Sequence, residues 1–377
     1  MKEKITKLWF SLRQKPALTT ILASLLSIFL GIIFGLIVLM VLDISNSFYG
    51  FSQMLTAGAS SLRKIGKVLY TATPLIMTGL AVGFAFKTGL FNIGATGQYV
   101  FGAFLGLYTA MVWSWPWWCA LIATALGGAL WGTIPGLFKA LLNVHEVITS
   151  IMFNWIGLHL VNFLITSSPK MMPLFWTGEV QSERTVKLSI ANPQAIIPSL
   201  GLDKLFGTSN MNLSIIVAII IAIIIYIILQ KTTFGYELKA CGFNRNASRY
   251  AGINTKRNII LSMTIAGALA GIGGGMYYLS GVAEYVIEQQ RLNPMGFNGI
   301  PVALIASSHP IGTIFSSIFV AYIQIGGDAM QPEFSTEIIN IIIAVIIYMS
   351  AFVILFKQYI SKWLKPKNNK KREDEIQ

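Results

Sequence analysis

Apolar residues run along this chain in long blocks separated by short polar or basic connections. Nine of the blocks approach the roughly 20 apolar residues that a helix needs to cross a bilayer core: Ile21–Leu42, Val68–Phe86, Leu90–Val112, Trp117–Phe138, Val147–Thr166, Leu213–Leu229, Asn258–Ser280, Ile311–Ile325 and Ile338–Phe356. A tenth, Phe297–Ala306, sits between Pro294 and Pro310. A helix of that length covers about 15 Å, half the hydrocarbon thickness. It predicts a broken or re-entrant segment near 297–310, or a crossing completed by its polar neighbours. The pattern therefore predicts an all-α polytopic membrane protein of about ten transmembrane segments.

Charge placement fixes the expected orientation. The net charge is +13, and 18 of the 28 basic residues lie in Met1–Lys15, Lys231–Arg257 and Lys357–Arg372. Such clustering between apolar runs follows the positive-inside rule and removes nucleic acid as the reason for the charge. Ten crossings with a cytoplasmic N-terminus also place Lys87 and Lys139 inside and keep the basic tail there, whereas nine would expel it. Both termini are thus expected to be cytoplasmic. The implied organisation is a basic N-terminus (1–20), a transmembrane domain (21–356) and a basic tail (357–377). Within the domain lie an external loop (167–212) and a cytoplasmic loop (231–257). Arg63, Lys64 and Lys67 resist this scheme, and an interfacial stretch around Phe51, Met54, Leu55, Leu62 and Ile65 accommodates them. The external loop carries Pro169, Pro173, Pro193 and Pro198 and is suited to capping the outer mouth. Ile21–Leu42 lacks a small-residue cleavage pattern behind it and reads as a retained anchor. Spans one and six run in opposite directions, so two inverted five-helix halves are compatible with the count. The sequence echo is faint: Phe91-Asn92-Ile93-Gly94 against Phe297-Asn298-Gly299-Ile300.

Composition narrows the function classes. The chain is 54% hydrophobic and 11% charged, with mean hydropathy +0.66. That is too little charge to build a water-facing surface for a soluble enzyme, a coiled coil or a disordered protein. Cys119 and Cys241 form no disulfide framework. No G-x-x-x-x-G-K-[ST] loop occurs, His145-Glu146 lacks the second histidine of a zinc-protease motif, and His159 and His309 complete no ligand spacing. The chain is expected to have no ATPase site of its own and to bind no cofactor or metal. Its acidic residues Asp43, Glu146, Glu284, Glu288, Asp328, Glu333 and Glu337 fall at span ends or in loops, whereas ion-coupled carriers usually keep an ionisable group within the bundle.

Buried polarity comes instead from amides. Phe91–Gln98 is a polar, glycine-bearing patch that opens an apolar run. It is either a turn followed by a small-residue packing face or a helix break lining a site. Phe91, Asn92, Gln98, Asn154, Phe297 and Asn298 are the candidate pathway residues, offering hydrogen bonds and aromatic faces to an uncharged cargo. Gly267, Gly271 and Gly275 repeat every four residues as a helix-packing face. In the loop Thr233–Ile253, Gly242 is expected to end one helix and Asn244 to cap the next, which Gly252 closes. The result is a short, basic, amphipathic helix, either resting on anionic lipid or seated in a cytosolic partner's groove.

That loop resembles the coupling segment of permease subunits in ATP-binding-cassette importers, the branched-chain amino acid and simple-sugar permease superfamily. Gly242, Asn244, Ala247, Tyr250, Gly252 and Ile253 stand at the positions of the family pattern. Thr73–Phe86, Gly89–Gly94, Glu146-Val147-Ile148 with Met152 and Asn154, and Gly296–Leu304 are similar to the nucleoside-importer branch. Thr96 departs from that branch, as does Ser307-Ser308-His309. The resemblance covers residues 65–350. It implies that Gly242, Asn244, Arg245, Ala247, Tyr250 and Gly252 couple to a cytosolic ATPase, which holds the ATP and magnesium. It further implies a second, shorter permease subunit, a substrate-binding lipoprotein and a bacterial plasma membrane. Nucleosides are the expected cargo, with simple sugars or branched-chain amino acids as the sister alternative. An ion-coupled carrier or channel is the alternative from a different class.

Overall fold

A computed structural model describes residues 16–179, 183–208, 210–287, 290–350, 352 and 355–356. The predicted basic tail, Glu288 and most of the predicted basic N-terminus lie outside these residues. Regular structure among the described residues is helical, apart from an isolated bridge between Arg184 and Val286.

The principal helices are α1 (Pro16–Leu42), α2 (Ser47–Thr56), α3 (Leu62–Lys87), α4 (Ala95–Met111), α5 (Trp117–Leu142), α6 (Glu146–Thr166), α7 (Ser214–Lys231), α8 (Thr233–Phe243), α9 (Arg245–Tyr250), α10 (Thr255–Tyr278), α11 (Pro294–Ile305), α12 (Pro310–Asp328) and α13 (Thr336–Ser350). Among the described residues seven helices are long and apolar enough to cross a membrane: Leu22–Leu42, α3, α5, α6, α7, α10 and α12. The other three predicted spans form shorter helices of 17, 12 and 15 residues, namely α4, α11 and α13.

Three boundaries differ from the expectation. Helix α1 is already helical at Pro16, within the predicted basic N-terminus. Helix α3 starts six residues before the apolar run does. Ser61 accepts a hydrogen bond from the Lys64 N–H at 3.3 Å and caps it, so Arg63, Lys64 and Lys67 become its first turns. Leu90 to Gly94 is not helical, because Gly89 adopts φ +70° and ends the preceding helix.

The described residues form two compact units, one of residues 16–54 with those described from 327 onward, the other within residues 55–326. In the first, Gly31 and Gly35 of α1 lie against Ile346 and Ile342 of α13. In the second, α10 packs on α5, α3 and α4. Here the predicted glycine face meets others like it. A Cβ on Gly267 would come within 2.2 Å of the Gly128 carbonyl oxygen, and one on Gly128 within 2.1 Å of the Gly267 carbonyl. Backbones touch directly because nothing stands between them. The middle of α3, from Ala72 to Ala85, is buried on every side.

The described residues of 167–212 fold over one end of this unit, hereafter the cap end. Asn192 donates to the carbonyls of Ala110 and Trp115 at 2.9 and 3.0 Å. Ile197 N–H donates to the Leu279 carbonyl, and Thr185 N–H to the Tyr285 carbonyl, each at 2.9 Å. Helices α8 and α9 lie at the opposite end, the stub end, beside Lys87 to Gly89.

Candidate functional site

The irregular stretch before α4 is held by side-chain amides. Asn92 and Gln98 exchange two hydrogen bonds: Asn92 Nδ2 donates to Gln98 Oε1 at 2.8 Å, and Gln98 Nε2 donates to Asn92 Oδ1 at 3.1 Å. Asn154, arriving on α6, bridges the break. Its Oδ1 accepts from Gly97 N–H at 2.8 Å while its Nδ2 donates to the Ile93 carbonyl at 3.1 Å. A helix interrupted at membrane depth must satisfy the backbone groups it frees. Asn154 does so for Gly97 N–H and the Ile93 carbonyl, while Asn92 and Gln98 satisfy each other, and all three amides are fully buried. Three of the expected pathway residues are thus brought together in one polar node. Phe91 stacks on Phe86, with ring centroids 5.2 Å apart.

Phe297 and Asn298 lie inside α11 and are half-buried. The echo with Phe91–Gly94 therefore pairs a helical segment with a non-helical one. The first turns of α11 and α4 touch: a Cβ on Gly296 would meet the Thr96 N, Cα and Oγ1 at 2.4 Å. From that shared level α4 runs to the cap end, where Asn192 holds its last turn. Helix α11 runs to the stub end, where Lys87 Nζ donates to the Ser307 carbonyl at 3.4 Å. Two helix N-termini, each with partial positive charge from unpaired N–H groups, thus start together and diverge. The turn after α11 places Ser307 and Ser308 in the left-handed region, at φ 50° and 54°. His309 then caps α12 by accepting from Gly312 N–H at 3.3 Å.

On the cap side of this level lies a group of tyrosines that no sequence pattern singled out. Tyr70 stacks on Tyr277 at 5.9 Å, Tyr277 meets Tyr278 edge-on at 5.0 Å, and Tyr278 contacts Tyr99 at 6.4 Å and Tyr285 at 5.5 Å. They come from α3, α4, α10 and the 279–293 connection. Their one sequence signal is the adjacency of 277 and 278.

At the stub end, Thr232 caps α8 by accepting from Gly235 N–H at 3.1 Å. Asn244 caps α9, as expected, by accepting from Ala247 N–H at 3.0 Å. Gly252, at φ +81°, follows α9 and allows the chain to reverse. Gly242 differs from its expected role, since α8 continues through it to Phe243. Its lack of a side chain serves contact instead. A Cβ there would lie 2.4 Å from the Lys87 carbonyl oxygen and 3.0 Å from Gly89 N, and a Cβ on Gly89 would meet Gly242 Cα at 3.1 Å. The root of the stub is therefore joined backbone to backbone with the end of α3 and the break before α4. Asn258 of α10 ties the same root by donating to Glu237 Oε2 at 3.1 Å. Away from this joint, Phe243 is 91% and Tyr250 95% exposed, and Ala247 and Arg249 are exposed beside them while Arg245 is half-buried.

Two further features went unread in the sequence. Lys139 and Glu146 form an ion pair at 2.8 Å with side chains only 12% and 9% exposed, closing the α5–α6 turn around Asn143, which is left-handed at φ 53°. Burial, and secondarily the Lys87 charge, hold the His309 imidazole below its ordinary value of 6.5. Among the described residues no three His, Cys, Asp or Glu side chains gather closely enough to hold a metal ion.

The geometry is that of a multi-pass helical bundle with an interrupted, charge-poor interior, joined to an exposed stub. The model of the family described as "Branched-chain amino acid transport system / permease component" matches residues 64–363. The guanosine ABC transporter permease protein NupP of Bacillus subtilis is 35% identical over 340 residues, covering 89% of this chain and 94% of that protein. The nucleoside ABC transporter permease protein NupB of Lactococcus lactis is 34% identical over 350 residues, covering 91% and 93%. A second guanosine ABC transporter permease protein of Bacillus subtilis, NupQ, is 26% identical over 267 residues, covering 68% and 79%. No solved structure matches. With the family model spanning most of its length, and with relatives of this similarity covering nearly all of it, the chain belongs to the permease-component family of branched-chain amino acid transport systems.

Proposed function

We propose that this chain is the larger permease subunit of an ATP-driven nucleoside importer in a bacterial plasma membrane. The similarity to NupP and NupB supports the cargo. In Bacillus subtilis two permeases of different length match the chain, which supports a heterodimer with a second permease. The cytosolic ATPase, holding ATP and magnesium, and the substrate-binding lipoprotein follow from the family. This chain itself carries no ATPase site. Ten crossings, arranged as two inverted five-helix halves, count α4, α11 and α13 as membrane segments. The cap end then faces outward, and the stub and both termini face the cytoplasm.

The single observation that carries the mechanism is the Gly242–Gly89 joint. ATP-driven closure of the partner moves the stub, gripped through Tyr250, Phe243, Arg245 and Ala247 and kept in shape by Asn244 and Gly252. A backbone joint with no side chain between its halves passes that displacement to the α3–α4 break. There Asn92, Gln98 and Asn154 hold the interrupted backbone in register, while Phe91, Phe297 and Asn298 border the route. A charge-poor route suits an uncharged cargo, because charged groups at membrane depth are costly.

Uptake of labelled uridine, adenosine and guanosine by a deletion strain, with and without the chain restored, tests the cargo. Loss of all three on deletion is expected. Unchanged nucleoside uptake with loss of ribose or leucine import moves the chain to a sister branch, and a proton flux driven by the purified chain alone refutes ATP coupling.

A further inference from the structure

Two buried hydroxyls of α4 bond to nothing among the described residues. Thr96 Oγ1 and Tyr99 OH are buried and unpartnered, on residues 1% and 0% exposed. A buried hydroxyl without a partner costs about 1–3 kcal/mol, so two of them three residues apart on one helix require a reason. Residues at that spacing share a helix face.

The contacts around them form a closed circuit. Thr96 abuts Gly296 in the first turn of α11. Asn293, the cap of α11, accepts from Met295 N–H at 2.9 Å through its Oδ1 and donates through its Nδ2 to Tyr278 OH at 3.4 Å. The Tyr278 ring returns to Tyr99, one turn beyond Thr96. Tyr70 OH is within 3.1 Å of Ser280 Oγ, and Tyr285 OH donates to Asn162 Oδ1 at 3.3 Å. Every polar group named in this circuit is a hydroxyl, an amide or a backbone group. Such a surface offers aromatic faces and neutral donors and acceptors, beside the N-terminus of a half-length helix.

We propose that Thr96, Tyr99, Tyr278 and Asn293, entered past the half-buried rings of Tyr70 and Tyr277, form a binding station for the base of a nucleoside. The ligand class is an uncharged, planar heterocycle with ring N–H and carbonyl groups. Thr96 and Tyr99 make their missing hydrogen bonds to its edge, and the tyrosine rings contact its face. The assignment of the ligand rests on the nucleoside reading above, whereas the station itself rests on the two unpartnered hydroxyls.

Saturation-transfer NMR on the full chain in lipid nanodiscs, with guanosine, uridine, ribose and leucine as probes, tests the station. Guanosine and uridine are expected to show stronger saturation on base protons than on ribose protons. Thr96→Val and Tyr99→Phe, which remove one hydroxyl each and preserve volume, are expected to raise the half-saturating nucleoside concentration about three- to tenfold apiece. Should either variant fail to assemble, Tyr70→Phe and Tyr277→Ala at the half-buried edge carry the same expectation. If nucleosides bind but these substitutions leave both half-saturation and the proton pattern unchanged, the station is overturned and the nucleoside reading survives. If the unaltered chain responds to ribose or leucine and not to nucleosides, that reading falls and takes this assignment with it.

Discussion

Replacing Gly242 by alanine inserts one methyl group into the joint between the stub and the α3–α4 break. The added Cβ would lie 2.4 Å from the Lys87 carbonyl oxygen, 3.0 Å from Gly89 N and 3.1 Å from the Thr88 carbonyl carbon. All three are backbone atoms at a helix end, so no side chain can swing aside. Restoring ordinary contact requires the root of α8 to move by about 1 Å, and overpacking of this kind typically costs about 1–3 kcal/mol. Applied to the balance between two arrangements of the bundle, that is roughly 5- to 150-fold. G242A is therefore expected to cut nucleoside uptake in the complemented deletion strain at least about fivefold. The ATPase should still co-purify with it, because Asn244, Phe243 and Tyr250 are untouched. Gly252 supplies the contrast. It sits at φ +81° with nothing within 4 Å of a built Cβ, so G252A strains one residue by about 1–2 kcal/mol and meets no neighbour. Its uptake is expected to fall less than about threefold. Full uptake by G242A, with ATP turnover still responding to substrate, would refute the joint as the route of force.

Tyr250→Ala removes a 95% exposed aromatic side chain; if it anchors a partner, co-purification of the ATPase should weaken by about 2 kcal/mol or more, while the thermal midpoint of the chain alone stays unchanged. Glu146→Gln leaves Lys139 facing a neutral group in a poorly solvated turn; a loss of up to about 3–5 kcal/mol is expected as a lower unfolding midpoint in detergent, and the double variant K139M/E146L should recover part of it. Gly267→Val drives a branched side chain against the Gly128 carbonyl and should abolish the assembled chain on a fluorescence size-exclusion trace, whereas substitution at the open Gly178 should not. The folded pKa of His309 lies below its unfolded value, so its stability contribution is intact above about pH 6.5 and declines as pH falls further, the unfolded chain binding the proton first. The unfolding midpoint should drop between pH 7.5 and 5.5, and His309→Asn, which keeps a capping oxygen, should flatten that slope.

Much of the helical order was legible because span length and charge placement are one-dimensional properties. The Asn244 cap and the Gly252 reversal were legible too, being local backbone chemistry. Gly242 was read as a helix stop because glycine at a helix end commonly is one. Its actual constraint comes from Lys87 and Gly89, more than 150 residues away, and no local pattern encodes it. The amides at 92, 98 and 154 stood out as polar residues in apolar runs, yet their mutual pairing depends on α6 crossing the break. The tyrosines were invisible for the same reason: single aromatic residues on several separate elements carry no spacing. Ser61 hid the true start of α3 because a cap outweighs the hydropathy of the basic turn that follows it.

The pairing of Asn92 with Gln98 has a consequence for how the chain enters its membrane. Both partners belong to one hairpin, α3 with α4, so their four amide hydrogen-bonding groups are neutralised before any later segment has been synthesised. Gly97 N–H and the Ile93 carbonyl, on the main chain of the same hairpin, find their partner only in Asn154 two helices on. The hairpin can therefore leave the insertion machinery into lipid with the amides of Asn92 and Gln98 already paired. The arrival of α6 then acts as a latch, and a chain truncated before Asn154 would expose that unfinished edge to quality-control proteases.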